Sequence, residues 1–249
     1  MMGRFVMLAG PSCVGKGPLY GALKRFYPEL AGNLKQIVLY NDRDVRPGEE
    51  EGVDYYFRPR SEIEALAKRP GHVAADVRGD LQCLEVASIE RILDQGKDAF
   101  FEGNPFIPAR LQESGALKDI PTLSVFLSPL SEDELRYLQA PERRVDLAAF
   151  LTDVQRRKLL RRTTRQKTIL SLKDLQNIEK RAASAIVELC HGWKFDHVIP
   201  VHDGEDSENW NAFYYPIGDA RKAFLAFASL LMGETPPGVE KWDEGLVPV

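Results

Sequence analysis

The sequence predicts an α/β fold of the three-layer type, in which helices cover both faces of a mainly parallel β-sheet. The main observation is that short apolar runs of strand length alternate along the 249 residues with amphipathic segments of helical period. A second is that the first apolar run, Phe5 to Ala9, stops at a glycine-rich turn that leads directly into a helix-forming segment. Strand, turn and helix in this order favour a phosphate-binding α/β domain.

Composition limits the classes of partner. The chain is 44% hydrophobic and 28% charged with a net charge of −4, which is ordinary for a soluble globular protein and argues against a nucleic-acid surface. Cys13, Cys83 and Cys190 form no CxxC pair, so neither a disulfide framework nor a zinc site is expected. No run approaches the about 18 apolar residues of a membrane span. We expect a cytoplasmic protein with small-molecule partners, no nucleic acid polymer and no membrane; a homodimer is left open.

The glycine-rich turn carries most of a phosphate-binding motif. Gly10, four residues, Gly15 and Lys16 fit the P-loop pattern GxxxxGK[S/T], whose backbone N–H groups surround a phosphate while the lysine neutralises it. A helix from Lys16 towards Phe26 would direct its positive end at the same anion. The pattern requires Ser or Thr next, to bind Mg²⁺, but Gly17 and Pro18 follow. The predicted donor phosphate-binding residues are Gly10, Ser12, Cys13, Val14, Gly15, Lys16 and Gly17.

The remaining elements follow from apolar periodicity and capping signals. Further strands are expected at 36–40, 99–101, 123–127 and 197–201. Capping boxes at Ser61 with Glu64 and at Ser131 with Glu134 predict two helix starts. Other helices are expected after Gly79 and Asp80, with Leu84 on the apolar face, at 172–190 and at 220–232. The clustered histidines 191, 197 and 202 lack metal-site spacing and are interpreted as structural.

Charged residues mark two candidate substrate contacts. Arg43 and Arg46 lie three apart in a loop that contains Tyr55, and such arginines can converge on one phosphate or carboxylate. Taken alone, this loop would more simply be a solvated charged segment with Glu49 among its counter-charges. Glu102 ends an apolar strand. An acid at this place in an α/β fold often holds Mg²⁺ or the substrate; the alternative is a surface acid without a role in binding.

The basic residues of the chain are concentrated in the stretch 140–171. It includes Arg161, Arg162 and Arg165. A charge run is usually a solvated helix face, but in a phosphate-handling protein it can form a lid that places guanidinium groups against the transferring charge.

With these motifs in view, the chain resembles the guanylate kinase family over roughly residues 4 to 205. Residues 10–17 are similar to the family's GPSGxGKG/S loop, and 43–57 to its TTRxPRxGExxGxxYxF loop. Residues 125–135, 178–189 and 196–203 are similar to three further family segments. The resemblance implies one domain, with a core at 1–40, 97–139 and 172–205, an acceptor-binding region at 41–96, a lid at 140–171 and a C-terminal extension at 206–249.

The resemblance also implies an activity and residue roles. The reaction would be phosphorylation of GMP by ATP with Mg²⁺, with nucleotides as substrates. The acceptor would contact Arg43, Arg46, Glu49, Tyr55 and Glu102, and the catalytic residues would be Lys16, Arg165 and Arg181. The metal ligands stay unknown, with Glu49 and Glu102 as candidates.

Departures from the family pattern leave two alternatives. Cys13 replaces a loop glycine, Asn41 and Asp42 replace threonines, and the guanine-reading glutamate and the second tyrosine are absent from 73–84. The lid is longer around 145–160, and the tail after residue 205 exceeds the common length. The alternatives are a kinase for another phosphorylated acceptor and an inactive guanylate-kinase-like module that binds phosphopeptides. Because Gly15, Lys16 and the basic lid are retained, we favour an enzyme.

Overall fold

The computed structural model describes residues 3–46 and 48–248 and confirms the predicted α/β fold. Within these residues the strands are β1 Phe5–Ala9, β2 Leu34–Gln36, β3 Leu39–Asn41, β4 Tyr55–Phe57, β5 His72–Val77, β6 Asp80–Glu85, β7 Asp98–Gly103, β8 Thr122–Ser128 and β9 His197–Pro200. The helices are α1 Lys16–Phe26, α2 Pro28–Asn33, α3 Arg60–Ala67, α4 Val86–Leu93, α5 Phe106–Glu113, α6 Glu132–Gln139, α7 Leu147–Gln166, α8 Leu172–Ala183, α9 Ala185–Leu189 and α10 Gly218–Leu231.

The strands form two sheets. The central sheet has the order β2-β7-β1-β8-β9, and β2 pairs in parallel with β7, as β8 does with β9. A second sheet has the order β4-β3-β6-β5, in which β3 is parallel to β4 and antiparallel to β6. The mainly parallel central sheet is the one that the alternation of apolar runs predicted.

The chain divides into two compact units, each with its own core. The first comprises Met1–Met7 and Asn33–Leu123. Its core joins the second sheet with α4, α5 and β7 and includes Leu39, Leu84, Ile89, Phe101 and Ile107.

The second unit comprises Leu8–Gly32 and Ser124–Val249. Its core lies around β8, β9, α6, α7 and α9 and includes Phe126, Leu135, Leu151, Phe195 and Trp242. The chain after α10 adds to β9, because Val198 and Glu240 exchange backbone hydrogen bonds of 2.7 and 2.8 Å. The predicted subdivision into core, acceptor region, lid and extension stays a prediction.

The first strand and helix have the predicted bounds. All five residues of β1 are buried, and α1 begins at Lys16, directly after Gly15. The capping box of α6 is also confirmed, because the Ser131 hydroxyl accepts from the Glu134 N–H while the Glu134 carboxylate accepts from the Ser131 N–H.

Three predicted elements were wrong in detail. The run 36–40 is not one strand, because the chain leaves the central sheet after Gln36 and enters the second sheet at Leu39. Ser61 does not cap a helix, since α3 already begins at Arg60 behind Pro59. The segment 172–190 is broken at Ser184 into α8 and α9. In each case the apolar pattern located the element, but not its pairing partner or its exact end.

The segment around Leu84, predicted as part of a helix, is one strand of a β-hairpin. Leu84 does not lie on a helix, because β5 and β6 pair antiparallel along their whole length and α4 begins only at Val86. The turn consists of Arg78 and Gly79 with φ of 60° and 88°. Two consecutive positive φ values give the turn the hand that suits a hairpin, but arginine is an unusual residue for the first position.

Candidate functional site

The glycine-rich loop between β1 and α1 has the backbone of an anion-binding turn. Gly10 has φ of 152°, and a Cβ there would lie 2.4 Å from the Leu127 carbonyl oxygen, so only glycine fits. Gly15 precedes α1 with φ of 112°. The predicted residues Ser12, Cys13 and Val14 are buried between these glycines. The loop therefore places the start of α1, where backbone N–H groups can face an anion although Pro18 supplies none, beside a lysine.

Lys16 is held at the loop. Its side chain is largely buried, and Nζ donates to the carbonyl oxygens of Gly10 at 2.8 Å and Pro11 at 2.9 Å. These two bonds position the ammonium charge at the loop.

Cys13 carries the local strain of the loop. It is buried with φ of 65°, a left-handed conformation that disfavours any residue with a Cβ. Burial and the charge of Glu205 raise the pKa of its thiol to about 11, so this cysteine stays protonated at neutral pH. It thus acts as a packed apolar residue at a position that suits glycine.

A second group of cations reaches the loop from α7 and α8. Arg181 donates through Nε to the Ser12 hydroxyl at 3.1 Å, so this predicted catalytic residue does contact the loop. Arg162 forms an ion pair of 2.6 Å with Glu205, whose own N–H donates to the Cys13 carbonyl at 3.1 Å. Burial acts to raise the pKa of Glu205, but the charges of Arg162 and Lys16 outweigh it and hold that pKa below its usual value.

The acidic segment 203–208, which is separated from the end of β9 by two residues, pairs with the basic face of α7. Arg161 contacts Asp206 at 3.0 Å. The predicted catalytic Arg165 donates to the Asp206 carbonyl and pairs with Glu208 at 3.2 Å. The segment predicted as a lid contains α7, and these arginines of the helix are bound to carboxylates and a carbonyl of the chain itself.

The residues that follow this acidic segment also reach the loop, which sequence reasoning missed. A Cβ on Gly15 would lie 3.0 Å from the Trp210 ring, so the indole packs directly against the loop. Trp210 Nε1 donates to the carbonyl oxygens of Asp203 at 3.2 Å and Gly204 at 3.0 Å. A tryptophan in an otherwise polar segment was the available signal. We call the loop 10–17, the basic residues on α7 and α8 and the segment 203–210 the donor site.

In the first unit, the predicted arginine loop is organised around Glu49. Arg43 binds this carboxylate with both terminal nitrogens, at 2.7 and 2.5 Å, and the Arg46 N–H donates to it at 2.9 Å. Burial would lower the pKa of Arg43, yet the hydrogen bond and charge of Glu49 raise it. Burial would likewise raise the pKa of Glu49, but its bond to Arg43 lowers it. Glu49 thus fixes the loop from within.

Arg46 differs from Arg43 in the contacts of its guanidinium group. In the described part of the chain its guanidinium forms no hydrogen bond or ion pair, and desolvation together with the charge of Arg43 lowers its pKa. Tyr55 stacks on the other arginine, with its ring centre 5.0 Å from Arg43 Cζ. Two guanidinium groups without full compensation form a natural contact for an anion.

A cavity of about 250 Å³ adjoins this loop through Tyr55. Predicted Glu102 lines it, together with Gln36, Ile37, Leu39, Asp54, Tyr55, Gln82, Phe101, Gly103 and Asn104. The amides of Gln82 and Asn104 were not singled out from the sequence, because Gln82 lies on β6 and Asn104 directly after β7, 22 residues apart. We call this cavity with Arg43, Arg46 and Glu49 the acceptor site.

Comparisons with known proteins identify the family of this chain. A sequence model of the family described as guanylate kinase matches residues 2–149. The chain is 30% identical over 208 residues to a guanylate kinase of Rhodococcus jostii (strain RHA1), with 81% of each protein covered. The chain belongs to the guanylate kinase family.

Two further matches give the extent of the similarity. A guanylate kinase of Lactococcus lactis subsp. lactis (strain IL1403) is 32% identical over 139 residues, which span 54% of this chain and 62% of that relative. The crystal structure of guanylate kinase from Anaplasma phagocytophilum has a TM-score of 0.52 at 19% identity, covering 95% of this chain and 88% of that one, and supports the fold.

The metal expected of a guanylate kinase has no preformed cage here. Among residues 3–46 and 48–248, no three His, Cys, Asp or Glu side chains are grouped as metal ligands. Of the two candidate ligands, Glu49 is engaged by Arg43, and Glu102 lines the cavity. Gly17 and Pro18 supply no hydroxyl. These residues fit an Mg²⁺ that arrives with ATP and keeps phosphate and water ligands.

Within residues 3–46 and 48–248, no helix has the length and apolar character of a membrane span.

Proposed function

We propose that this chain transfers a phosphoryl group from ATP to a nucleoside monophosphate, with GMP as the preferred acceptor, giving GDP and ADP. Membership of the guanylate kinase family supports nucleotide kinase activity. The observation that carries the proposal is the open guanidinium of Arg46 beside Arg43 and next to a base-sized cavity. The P-loop with Lys16 supports a phosphorylated donor rather than a binding module alone.

The residues would act mainly through position and charge. An oxygen of the acceptor phosphate attacks the γ-phosphorus of ATP, and the bond from that phosphorus to the bridging oxygen breaks, leaving ADP. Arg43 and Arg46 would hold the attacking phosphate. Lys16 and Arg181 would neutralise charge on the donor phosphates, and Mg²⁺, when bound with ATP, adds to that neutralisation.

Arg165 would need to change partners during turnover. It is bound to the Asp206 carbonyl and to Glu208, and that second contact lies at the surface. Because an exposed ion pair is worth at most about 1 kcal/mol, a nucleotide phosphate can replace it at low cost.

The direct test is an acceptor panel with the full chain, ATP and Mg²⁺. ADP formation is measured with GMP, IMP, AMP, CMP and UMP, with the matching nucleosides as controls. We expect the fastest turnover with GMP and none with nucleosides. ADP formed only with another phosphomonoester would redirect the proposal to a different acceptor. No ADP with any acceptor, together with binding of a phosphopeptide, would replace the kinase by a binding module.

A further inference from the structure

The cavity of the acceptor site has a polar wall made of Gln82 and Asn104, and the hydrogen bonds of these two amides fix which atoms face a ligand. Its volume of about 250 Å³ suits a single base, below the about 300 to 1,000 Å³ of complete ligand pockets. The inference rests on the proposed function and deepens it, because it concerns how the base is selected.

The orientation of Asn104 is set by α5. Its side-chain oxygen accepts from the backbone N–H groups of Phe106 at 3.0 Å and Ile107 at 3.4 Å. Only the oxygen of an amide can accept, so its NH₂ group must point the other way. That NH₂ group donates to Gln82 Oε1 at 2.9 Å.

The orientation of Gln82 follows from that of Asn104. Because Gln82 Oε1 faces a donor, its other end is the Nε2 amide, which is a donor too. Within the described residues Nε2 has no hydrogen-bond partner, although Gln82 is 93% buried and lines the cavity. Nε2 is not among the fully buried unpaired atoms of the described residues, so it keeps solvent contact at the cavity. A base that fills the cavity would bury this donor, and an acceptor on that base would spare the cost of leaving it unpaired.

Asn41 adds a second donor on the same sheet face. It lies directly opposite Gln82 in the antiparallel pair of β3 and β6, so the two side chains are neighbours. Its oxygen accepts from the Arg43 N–H at 3.3 Å, while its Nδ2 is fully buried and has no partner among the described residues. Asn41 does not line the cavity, so of these two neighbouring amides it is Gln82 that can donate to a ligand there.

We propose that Gln82 selects the acceptor base by donating to an exocyclic carbonyl oxygen, and that Asn104 is the positioning residue that holds Gln82 in this orientation. GMP and IMP carry a carbonyl at purine position 6, whereas AMP carries an amino group there. An amino group would meet Gln82 Nε2 donor to donor. A base with a carbonyl is favoured, and one with an amino group is rejected.

The test compares IMP with AMP, whose bases differ in the group at position 6. In Gln82→Glu the side chain keeps its shape, but a carboxylate oxygen, which accepts, replaces the Nε2 donor at the cavity. Calorimetric dissociation constants should show that the wild type prefers IMP, and that the variant lowers the preference by about 5- to 150-fold, the range expected for one unpaired buried group. Gln36→Glu is the matched control. It adds the same charge to the same cavity at a residue that does not bond to Asn104 or Gln82. The ratio of the IMP and AMP dissociation constants should therefore stay as in the wild type, even if both constants change.

Asn104→Ser tests the chain of hydrogen bonds from α5 through Asn104 to Gln82, which we call the relay. Serine can still accept from the α5 N–H groups but cannot reach Gln82, which becomes free to rotate and to offer either end. The ratio of the AMP dissociation constant to that of IMP should therefore fall towards one, while the melting temperature stays close to that of the wild type. This variant also decides the matter if Gln82→Glu fails to fold.

The outcomes separate this inference from the proposed function. A wild type that binds AMP as tightly as IMP overturns the inference, as does an equal change of ratio in Gln82→Glu and Gln36→Glu. If ATP-dependent GDP formation persists in that case, the kinase assignment stands without the relay. If no nucleoside monophosphate binds, both are wrong.

Discussion

The donor site and the acceptor site differ in how their positive charges are balanced. In the donor site, Arg161, Arg162 and Arg165 each contact an oxygen of the segment 203–208. In the acceptor site, Glu49 binds Arg43 and leaves the Arg46 guanidinium open. In the proposed reaction the donor site would exchange internal carboxylates for nucleotide phosphates, whereas the acceptor site already has an uncompensated cation.

The two sites also differ in where they depart from the family pattern. The donor loop has lost a glycine at Cys13 and a hydroxyl at Gly17, but its backbone is supported by Trp210 against Gly15. The arginine loop is retained, while the cavity beside it has amides at Gln82 and Asn104. Under the proposed function, sequence change in the donor site would affect phosphate binding, and in the acceptor site it would affect base selection.

The largest expected effect is from Lys16→Met, which asks whether the altered donor loop still works. Methionine keeps most of the buried volume but removes the charge. Turnover should fall by at least about 10²- to 10³-fold, the usual loss when a group that stabilises the transition state is removed. Lys24→Met, on the exposed face of the same helix, is the control for steady-state kinetics. Equal activities of the two variants would mean that the donor loop is inert.

A smaller effect should come from Glu205→Gln, which removes the carboxylate beside Arg162. Because this charge lies near Lys16 and Arg181 as well, its loss should strengthen ATP binding by about 1 kcal/mol, or roughly fivefold, at low salt. Glu208→Gln, at the exposed partner of Arg165, should change binding less than twofold. Weaker binding of an ATP analogue to Glu205→Gln by calorimetry would show that this carboxylate supports the donor site instead of competing with phosphate.

The smallest effect concerns pH and again belongs to the second unit. His202 bridges Asp219 of α10 at 2.6 Å and Glu134 of α6 at 2.8 Å, and Asp219 also pairs with Lys222. Burial acts to lower the pKa of His202, but these carboxylates raise it. A raised pKa stabilises the fold below the unfolded value of about 6.5, and the gain is lost as pH rises through the folded value.

The matching variant is His202→Gln. Because His202 is half exposed, its loss should cost less than about 1 kcal/mol, or about 2 to 4 °C in melting temperature. The deficit relative to the wild type should be largest near pH 5 to 6 and should vanish in alkaline buffer. A deficit that grows with pH would contradict this assignment.

Local signals predicted part of this arrangement. The bounds of β1 and α1, the turn at Gly10 and Gly15, and the loop with Arg43 and Arg46 follow from residue type and short spacing. The contact of Arg162 with Glu205 spans 43 residues and that of Gln82 with Asn104 spans 22, so neither could be read from a local pattern. The acidic run after β9 was visible in the sequence, and its complementarity to the basic lid was the missed clue.

The central claim, that the acceptor site holds a phosphomonoester through Arg43 and Arg46, is tested most directly by thermal unfolding with GMP and with guanosine. At about 100 times its dissociation constant, GMP should add about 2.7 kcal/mol to the free energy of unfolding, or about 5 to 10 °C. Guanosine should give no detectable shift, and Arg43→Ala should abolish the shift given by GMP. If guanosine stabilises the protein as well as GMP does, or if Arg43→Ala leaves the GMP shift intact, the arginine pair does not bind the acceptor phosphate.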